Sequence, residues 1–183
     1  MRNYKTEGII IRRINFGEAD RILTIFTKHH GKIKAIAKGV RRIKSRRAPH
    51  LELFNQAVLF FHKGKNLDLV SEAQLINSFS DLRKDLKKVA LAFKLCELID
   101  QLTRENQSQR HAYSLFKTCL NDLSRFNKEK GERIVKNFER ELLQALGFLP
   151  KEKSLNRVEM ERYIEGIIEK KLKSKFFLEN LVE

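Results

Sequence analysis

The chain has 183 residues, 42% of them hydrophobic and 13 of them Phe, which is enough apolar material for packed cores and too much for a disordered tail. Its 38 Lys plus Arg against 23 Asp plus Glu leave a formal charge of +15, which points to a polyanionic partner and says nothing about fold. The longest purely apolar runs, such as Ala57 to Phe61, are too short to cross a bilayer and the N-terminus lacks the apolar region of a secretory leader, so a cytoplasmic location without membrane contact is expected.

From Tyr4 to Asn77 short β-branched runs alternate with turn residues, which predicts strands. Five are expected, over Tyr4 to Ile14, Arg21 to Thr27, Lys32 to Lys38, Ala57 to His62 and Leu67 to Ile76, with turns at Asn15-Phe16-Gly17, His29-His30-Gly31 and Lys63-Gly64-Lys65-Asn66. The third alternates most clearly: Ile33, Ala35 and Ala37 fall on one face and Lys32, Lys34 and Lys38 on the other, an apolar inside and a cationic outside. After it, Lys38 to Pro49 carries positive charge on half its positions and no carboxylate.

Near Phe79 the period changes. Ser78 or Ser80 offers an N-cap with Asp81 in the first turn, and Leu82, Leu86, Val89, Phe93 and Cys96 recur at helical spacing, beside a second row of Leu91, Leu95, Leu98 and Leu102. Further helices are expected over about 108–126, 132–146 and 156–174, with a short sequel to Leu181, punctuated by Gly131 and by Gly147 with Pro150. Strands first and helices afterwards predict an α+β protein, with an N-terminal five-stranded barrel of the oligonucleotide-binding (OB) type over 1–80 and an all-helical domain over 81–183. Charge divides the same way: residues 1–80 hold 16 basic and 6 acidic side chains against 22 and 17 in 81–183.

In an OB barrel the loops after strands one and four flank the binding face. Here Arg12 and Arg13 lead into the first and Lys63 and Lys65 sit in the second, while Arg41, Arg42, Lys44, Arg46 and Arg47 crowd the long third loop. With Lys32, Lys34 and Lys38 these form the expected phosphate-binding set, because closely spaced cations displace counterions from a nucleic-acid backbone. Of the aromatic residues in the same part, Tyr4, Phe16, Phe26, Phe54, Phe60 and Phe61, most are expected in the core, and those left exposed are candidate stacking surfaces for bases. Phe60 and Phe61 must point to opposite faces of their strand, so that one of them is either exposed to a ligand or buried under the helical domain. Catalysis has little support, since phosphate-cradling, dinucleotide-binding, nucleophile-elbow and zinc-protease motifs are all missing. Glu18 and Asp20 fit turn capping or pairing with Arg21 better than a metal site or a nuclease, and His29 and His30 fit a solvated hairpin turn. Cys96 and Cys119 lack metal or disulfide spacing and read as buried free thiols, so neither cofactor nor metal is expected.

The segments Tyr4-x-Thr6-x-Gly8-Ile9-Ile10-Ile11, Gly17-Glu18-x-Asp20, Thr24-x-Phe26-Thr27, Gly31 and Ala37-Lys38-Gly39-Val40-Arg41-Arg42 with Lys44-Ser45 resemble the RecO family of bacterial recombination mediators. Phe138-Glu139-x-Glu141-Leu142-Leu143-x-Ala145-Leu146-Gly147-Phe148-x-Pro150 is similar to that family's helix and Gly-Tyr/Phe-x-Pro corner, and Leu172 to Leu178 to its closing helix. The resemblance implies a non-enzymatic protein that binds single-stranded and double-stranded DNA, anneals complementary strands and helps load the RecA recombinase, with RecR and the acidic C-terminal tail of single-strand-binding protein as partners. Many members carry a four-cysteine zinc module after that corner, whereas Lys151 to Asn156 contains no cysteine. An RNA-binding or ribosome-associated OB-fold protein is the competing expectation, since the same charge and barrel would serve it.

Overall fold

The computed structural model describes residues 3–125 and 128–174. Its contacts divide into two units, the first the chain up to Ser78 together with Thr103–Arg110, the second Phe79–Leu102 and the chain from His111 onward.

In the first unit five strands, β1 (Asn3–Phe16), β2 (Asp20–Thr27), β3 (Gly31–Ala37), β4 (Gln56–His62) and β5 (Asp68–Asn77), close into a barrel in the order β1-β2-β3-β5-β4. This is the expected five-stranded barrel of the OB type, and closure leaves no unpaired sheet edge. All neighbours are antiparallel except β3 and β5, which run parallel and share two residue pairs, Ala35 with Asp68 and Ile36 with Leu69. Inward-facing Ile10, Leu23, Ile25, Ile33, Ala35, Leu59, Phe61 and Val70 fill the interior with branched and aromatic side chains. β1 is not one alternating strand: a bulge between Ile10 and Arg12 resets its parity, so Ile9, Ile10 and Ile11 are all buried and Arg12 to Phe16 are all exposed.

The cationic outer row expected on β3 needs correction at Lys32, which is only 6% exposed. The segment Thr103–Arg110, distant in sequence, lies along this strand: Asn106 N donates to Lys32 O at 2.8 Å, and the backbones of Glu105 and Lys32 form a parallel β-bridge. Gly31 lies beneath the same segment at φ +67, where a Cβ would stand 1.9 Å from Gln107 O, so a side chain is excluded by space as well as by backbone.

The second unit holds α1 (Leu86–Leu102), α2 (Arg110–Arg125), α3 (Lys128–Ala145) and α4 (Arg157–Ile168). No α-helix starts at Ser78 or Ser80. Phe79 adopts φ +47, a short 3-10 turn follows over Ser80–Lys84, and Asp85 caps α1 by accepting from Lys87 N at 2.9 Å. Of the two apolar rows on α1, Leu91, Leu95, Leu98 and Leu102 are buried, whereas Leu86 and Phe93 are exposed. Gly131 does not separate helices but sits inside α3, where a Cβ would come within 2.9 Å of Leu91 Cδ1; its absence lets the α3 and α1 backbones approach. Gly147 does end a helix: at φ +79 it lets Phe148 N reach Leu143 O at 2.8 Å.

α3 also carries Glu139, which pairs with Lys94 of α1 at 2.6 Å, the two side chains being 8% and 19% exposed. α4 opens with a capping box between Asn156 and Glu159 and stops at Ile168, short of the expected Ser174, because Glu169 turns left-handed at φ +55. The Glu97 carboxylate then accepts from Lys173 N and Ser174 N, both at 2.8 Å. The expected sequel to Leu181 lies outside the described residues. Cys96 and Cys119 are free and buried, and burial pushes the Cys119 thiol up to about 12.

Candidate nucleic-acid interface

The basic segment after β3 is anchored at both ends. Gly39, at φ +66, donates its amide to Asp20 Oδ1 at 2.7 Å; Arg41 N reaches Ala19 O at 2.8 Å, and Arg41 Nη1 reaches Gly17 O at 3.1 Å. The β1–β2 turn therefore forms the seat of the long loop, and this turn-capping role is what Asp20 does. Val40 is fully buried in the barrel core, as is Leu51 in the 3-10 turn Ala48–Leu51 that closes the loop. Asn55 Nδ2 donates to Pro49 O at 2.8 Å beside it.

Arg47 crosses from one strand to another. Nη2 donates to Lys38 O at 2.6 Å, just beyond β3, and Nη1 donates to Val70 O at 2.5 Å and Ser71 O at 3.3 Å in β5. Carbonyl dipoles fix the guanidinium without cancelling its charge.

Between these anchors, among the described residues, the side chains of Lys38, Arg42, Lys44 and Arg46 have no carboxylate or other hydrogen-bond partner, and all four are exposed. Like charges crowded on a segment held by backbone contacts repel one another, and a bound polyanion relieves that repulsion.

The other members of the expected set are distributed differently. Arg12 is exposed on the outer face of β1, opposite Thr24. Arg13 is paired with Glu52, which also takes Arg21 at 2.9 Å, so this charge is shared with a carboxylate. Lys34 is held by Glu105 at 2.5 Å. Lys63 lies 3.5 Å from Asp68 and 5.8 Å from the Tyr4 ring centre, while Lys65 is exposed in the same loop without a described partner. Burial pushes the Asp68 carboxyl up, but hydrogen bonds from the Tyr4 hydroxyl and Gly64 N and the Lys63 charge outweigh it and hold the group below its ordinary value. The same contact, added to burial, pushes the Tyr4 hydroxyl upward.

The structure thus brings Arg41, Arg42, Lys44 and Arg46 together with Lys38 at one end of the barrel, and sets Lys32, Lys34, Arg13 and Lys63 apart as buried or carboxylate-paired. Of the candidate stacking rings, Phe61 is buried against Tyr4 at 4.9 Å, Phe60 is half-buried under the Lys5 ammonium, and Phe16 stands 53% exposed. Ile14 and Ile43, at 46% and 104% exposure, were not singled out by sequence patterning, because an exposed Ile looks like a core Ile until register is known. Among the described residues no group of His, Cys, Asp or Glu is placed to hold a metal ion, and no helix is long and apolar enough to cross a membrane.

The family model described as recombination protein O N terminal matches residues 1–79, and that described as recombination protein O C terminal matches residues 83–154. The chain is 37% identical over 147 residues to the DNA repair protein RecO of Symbiobacterium thermophilum, covering 80% of this chain and 58% of that protein. With the DNA repair protein RecO of Acetivibrio thermocellus it shares 39% identity over 149 residues, covering 81% and 59%. It therefore spans somewhat over half the length of these relatives.

Proposed function

From the membership of this chain in the recombination protein O family, we propose that it is a non-enzymatic DNA-binding mediator of repair, which anneals complementary strands and helps load recombinase onto single-stranded DNA. The observation that carries this reading to particular residues is the anchored loop after β3, whose Arg42, Lys44 and Arg46 are exposed and, among the described residues, uncompensated by a carboxylate. Annealing requires two phosphate backbones to approach while their bases pair, and a rigidly presented cluster of guanidinium and ammonium groups lowers that repulsion. Lys38, Arg41 and Lys65 extend the surface, and Arg12 adds to it from β1. RecR and the acidic tail of single-strand-binding protein are the partners this reading carries from the family.

The test is fluorescence-monitored annealing of complementary oligonucleotides without nucleotide or metal. The variant Arg42→Ala/Lys44→Ala/Arg46→Ala is expected to anneal at least tenfold more slowly. If six phosphates are neutralised, the parent's single-strand affinity falls with a log-log salt slope of about −4, and the variant's slope is shallower by about 2. A variant that anneals like the parent with an unchanged slope overturns the assignment of this loop.

A further inference from the structure

The helical unit carries a concave, cationic site of its own. After α3 the chain turns at Gly147, and the amides of the corner find acceptors at the end of that helix: Leu146 N donates to Leu142 O at 2.9 Å, Phe148 N to Leu143 O at 2.8 Å and Gly147 N to Gln144 O at 3.1 Å. These bonds occupy carbonyls that would otherwise present partial negative charge where the chain folds back. Pro150 then starts a turn, Lys153 N donating to Pro150 O at 3.2 Å, and Gln144 Nε2 ties that turn to the helix by donating to Lys151 O at 3.4 Å. The result is a pocket of about 230 Å³ lined by Arg140, Gln144, Lys151, Glu152, Lys153 and Ser154.

Arg140 and Gln144 are one turn apart on α3, so both meet the pocket from one face of the helix. Lys153 Nζ stands 4.9 Å from the centre of the Tyr163 ring on α4, and that ring is fixed in turn by its hydroxyl donating to Phe148 O at 2.6 Å. An aromatic face steers an ammonium without neutralising it. Among the described residues no carboxylate pairs with Arg140, Lys151 or Lys153; these three cations against the one carboxylate of the lining, Glu152, leave the pocket a net charge of +2. No apolar side chain lines it, so it offers neither a floor for a base nor a seat for the hydrophobic residue of a peptide. A guanidinium fork, two ammonium groups, a side-chain amide and a hydroxyl are instead the donors that suit the several oxygens of one compact, doubly charged oxyanion.

We propose that this pocket binds phosphate in its dianionic form, either free or as a monoester at the end of a nucleotide. Arg140 supplies the two-pronged contact, Lys151 and Lys153 the remaining charge, and Gln144 and Ser154 complete the donor set. Charge and donor count select against a phosphodiester, which carries one negative charge and two unesterified oxygens. The site thus differs in kind from the loop after β3, whose spaced cations suit many diester charges along a strand.

Isothermal titration of the full chain at constant ionic strength tests it, with sodium phosphate, thymidine 5′-monophosphate and the phosphodiester dithymidylate as probes. Phosphate and the monoester are expected to bind at one site, and the diester at least about fivefold more weakly. Equal affinity for the first two assigns the site to the free ion; a tighter monoester assigns it to phosphate carried on a nucleotide. Arg140→Gln/Lys153→Gln is expected to weaken phosphate binding by about tenfold or more. Glu152→Gln, which removes the opposing charge, is expected to tighten it by roughly two- to threefold, a change of sign that damage to the fold does not produce. Phosphate heat that chloride reproduces, a diester that binds as well as the monoester, or affinities unmoved by both variants each overturn the proposal. An acidic peptide that binds here while phosphate does not overturns it in favour of a protein occupant. Arg42→Ala/Lys44→Ala/Arg46→Ala, the variant that tests the DNA-binding reading, is expected to leave the phosphate titration unchanged, so the two readings fail separately.

Discussion

In the barrel unit, Arg47 directs its guanidinium at carbonyls of Lys38, Val70 and Ser71, whereas in the helical unit Lys94 is held 2.6 Å from the buried carboxylate of Glu139. Both cations are fixed in place, but only the second is neutralised. A carbonyl offers a dipole and leaves the field of the cation intact; a carboxylate removes it. What separates a cation that keeps its field from one that is neutralised in a chain of charge +15 is therefore not the density of Lys and Arg but the kind of acceptor that holds them.

The largest effect that would sharpen this contrast lies in the helical unit. Lys94→Met strands a buried carboxylate and is expected to cost about 3–5 kcal/mol in urea unfolding, while Lys94→Met/Glu139→Leu recovers most of it, because a well-packed apolar pair replaces an ion pair at little net cost. A single variant as stable as the parent would break the comparison from that side.

Next is Arg47→Ala, which removes the hydrogen bonds to three carbonyls and is expected to lower stability by about 1–3 kcal/mol, read as a drop in melting temperature. Arg42→Ala/Lys44→Ala/Arg46→Ala, lacking such partners, should shift stability by less than about 0.5 kcal/mol per site. Equal melting temperatures for the two variants would erase the distinction between anchoring and presented cations.

A smaller effect is expected at Lys34, one of the barrel's exposed carboxylate-paired cations: Glu105→Gln releases it and should tighten DNA binding by roughly two- to threefold at low salt, consistent with the small energy of an exposed pair. Weaker binding would place Glu105 among the groups that support the site.

The smallest concerns acid. Asp68 has a folded pKa below its ordinary 3.8, so the unfolded chain takes up its proton first; the stability it contributes is present above pH 3.8 and is lost as pH falls through the folded value. Asp68→Asn should remove that acid-dependent part of the unfolding curve, and an unaltered curve would show that Lys63 and Tyr4 do not favour the carboxylate.

The five strands and their turns were legible because period-2 alternation and Gly-containing turns are local signals, and β3 reports its inner face through Ile33, Ala35 and Ala37 alone. What the sequence hid was set by partners distant along the chain. Lys32 looks identical to Lys34 until the Thr103–Arg110 segment lies beside it. Gly131 has the composition of a breaker but serves close helix approach, and Ser80 has the chemistry of a cap that the left-handed Phe79 does not let it use. At the site, the cluster of cations could be read directly. The division of labour within it could not, because Arg46 and Arg47 are adjacent and chemically identical, and only the position of β5 makes one of them an anchor.

The parallel junction of β3 and β5, with its two residue pairs, is the thinnest stitch in the barrel wall, and Arg47 fastens it from outside. When the wall breathes, that stitch is where it should part first, so amide protons of Ile36 and Leu69 ought to swap with deuterium sooner than those along β1 and β2. The residue governing this breathing sits in the same loop as the exposed Arg42, Lys44 and Arg46, so a polyanion gripping that loop would also slow the breathing of the cylinder beneath it.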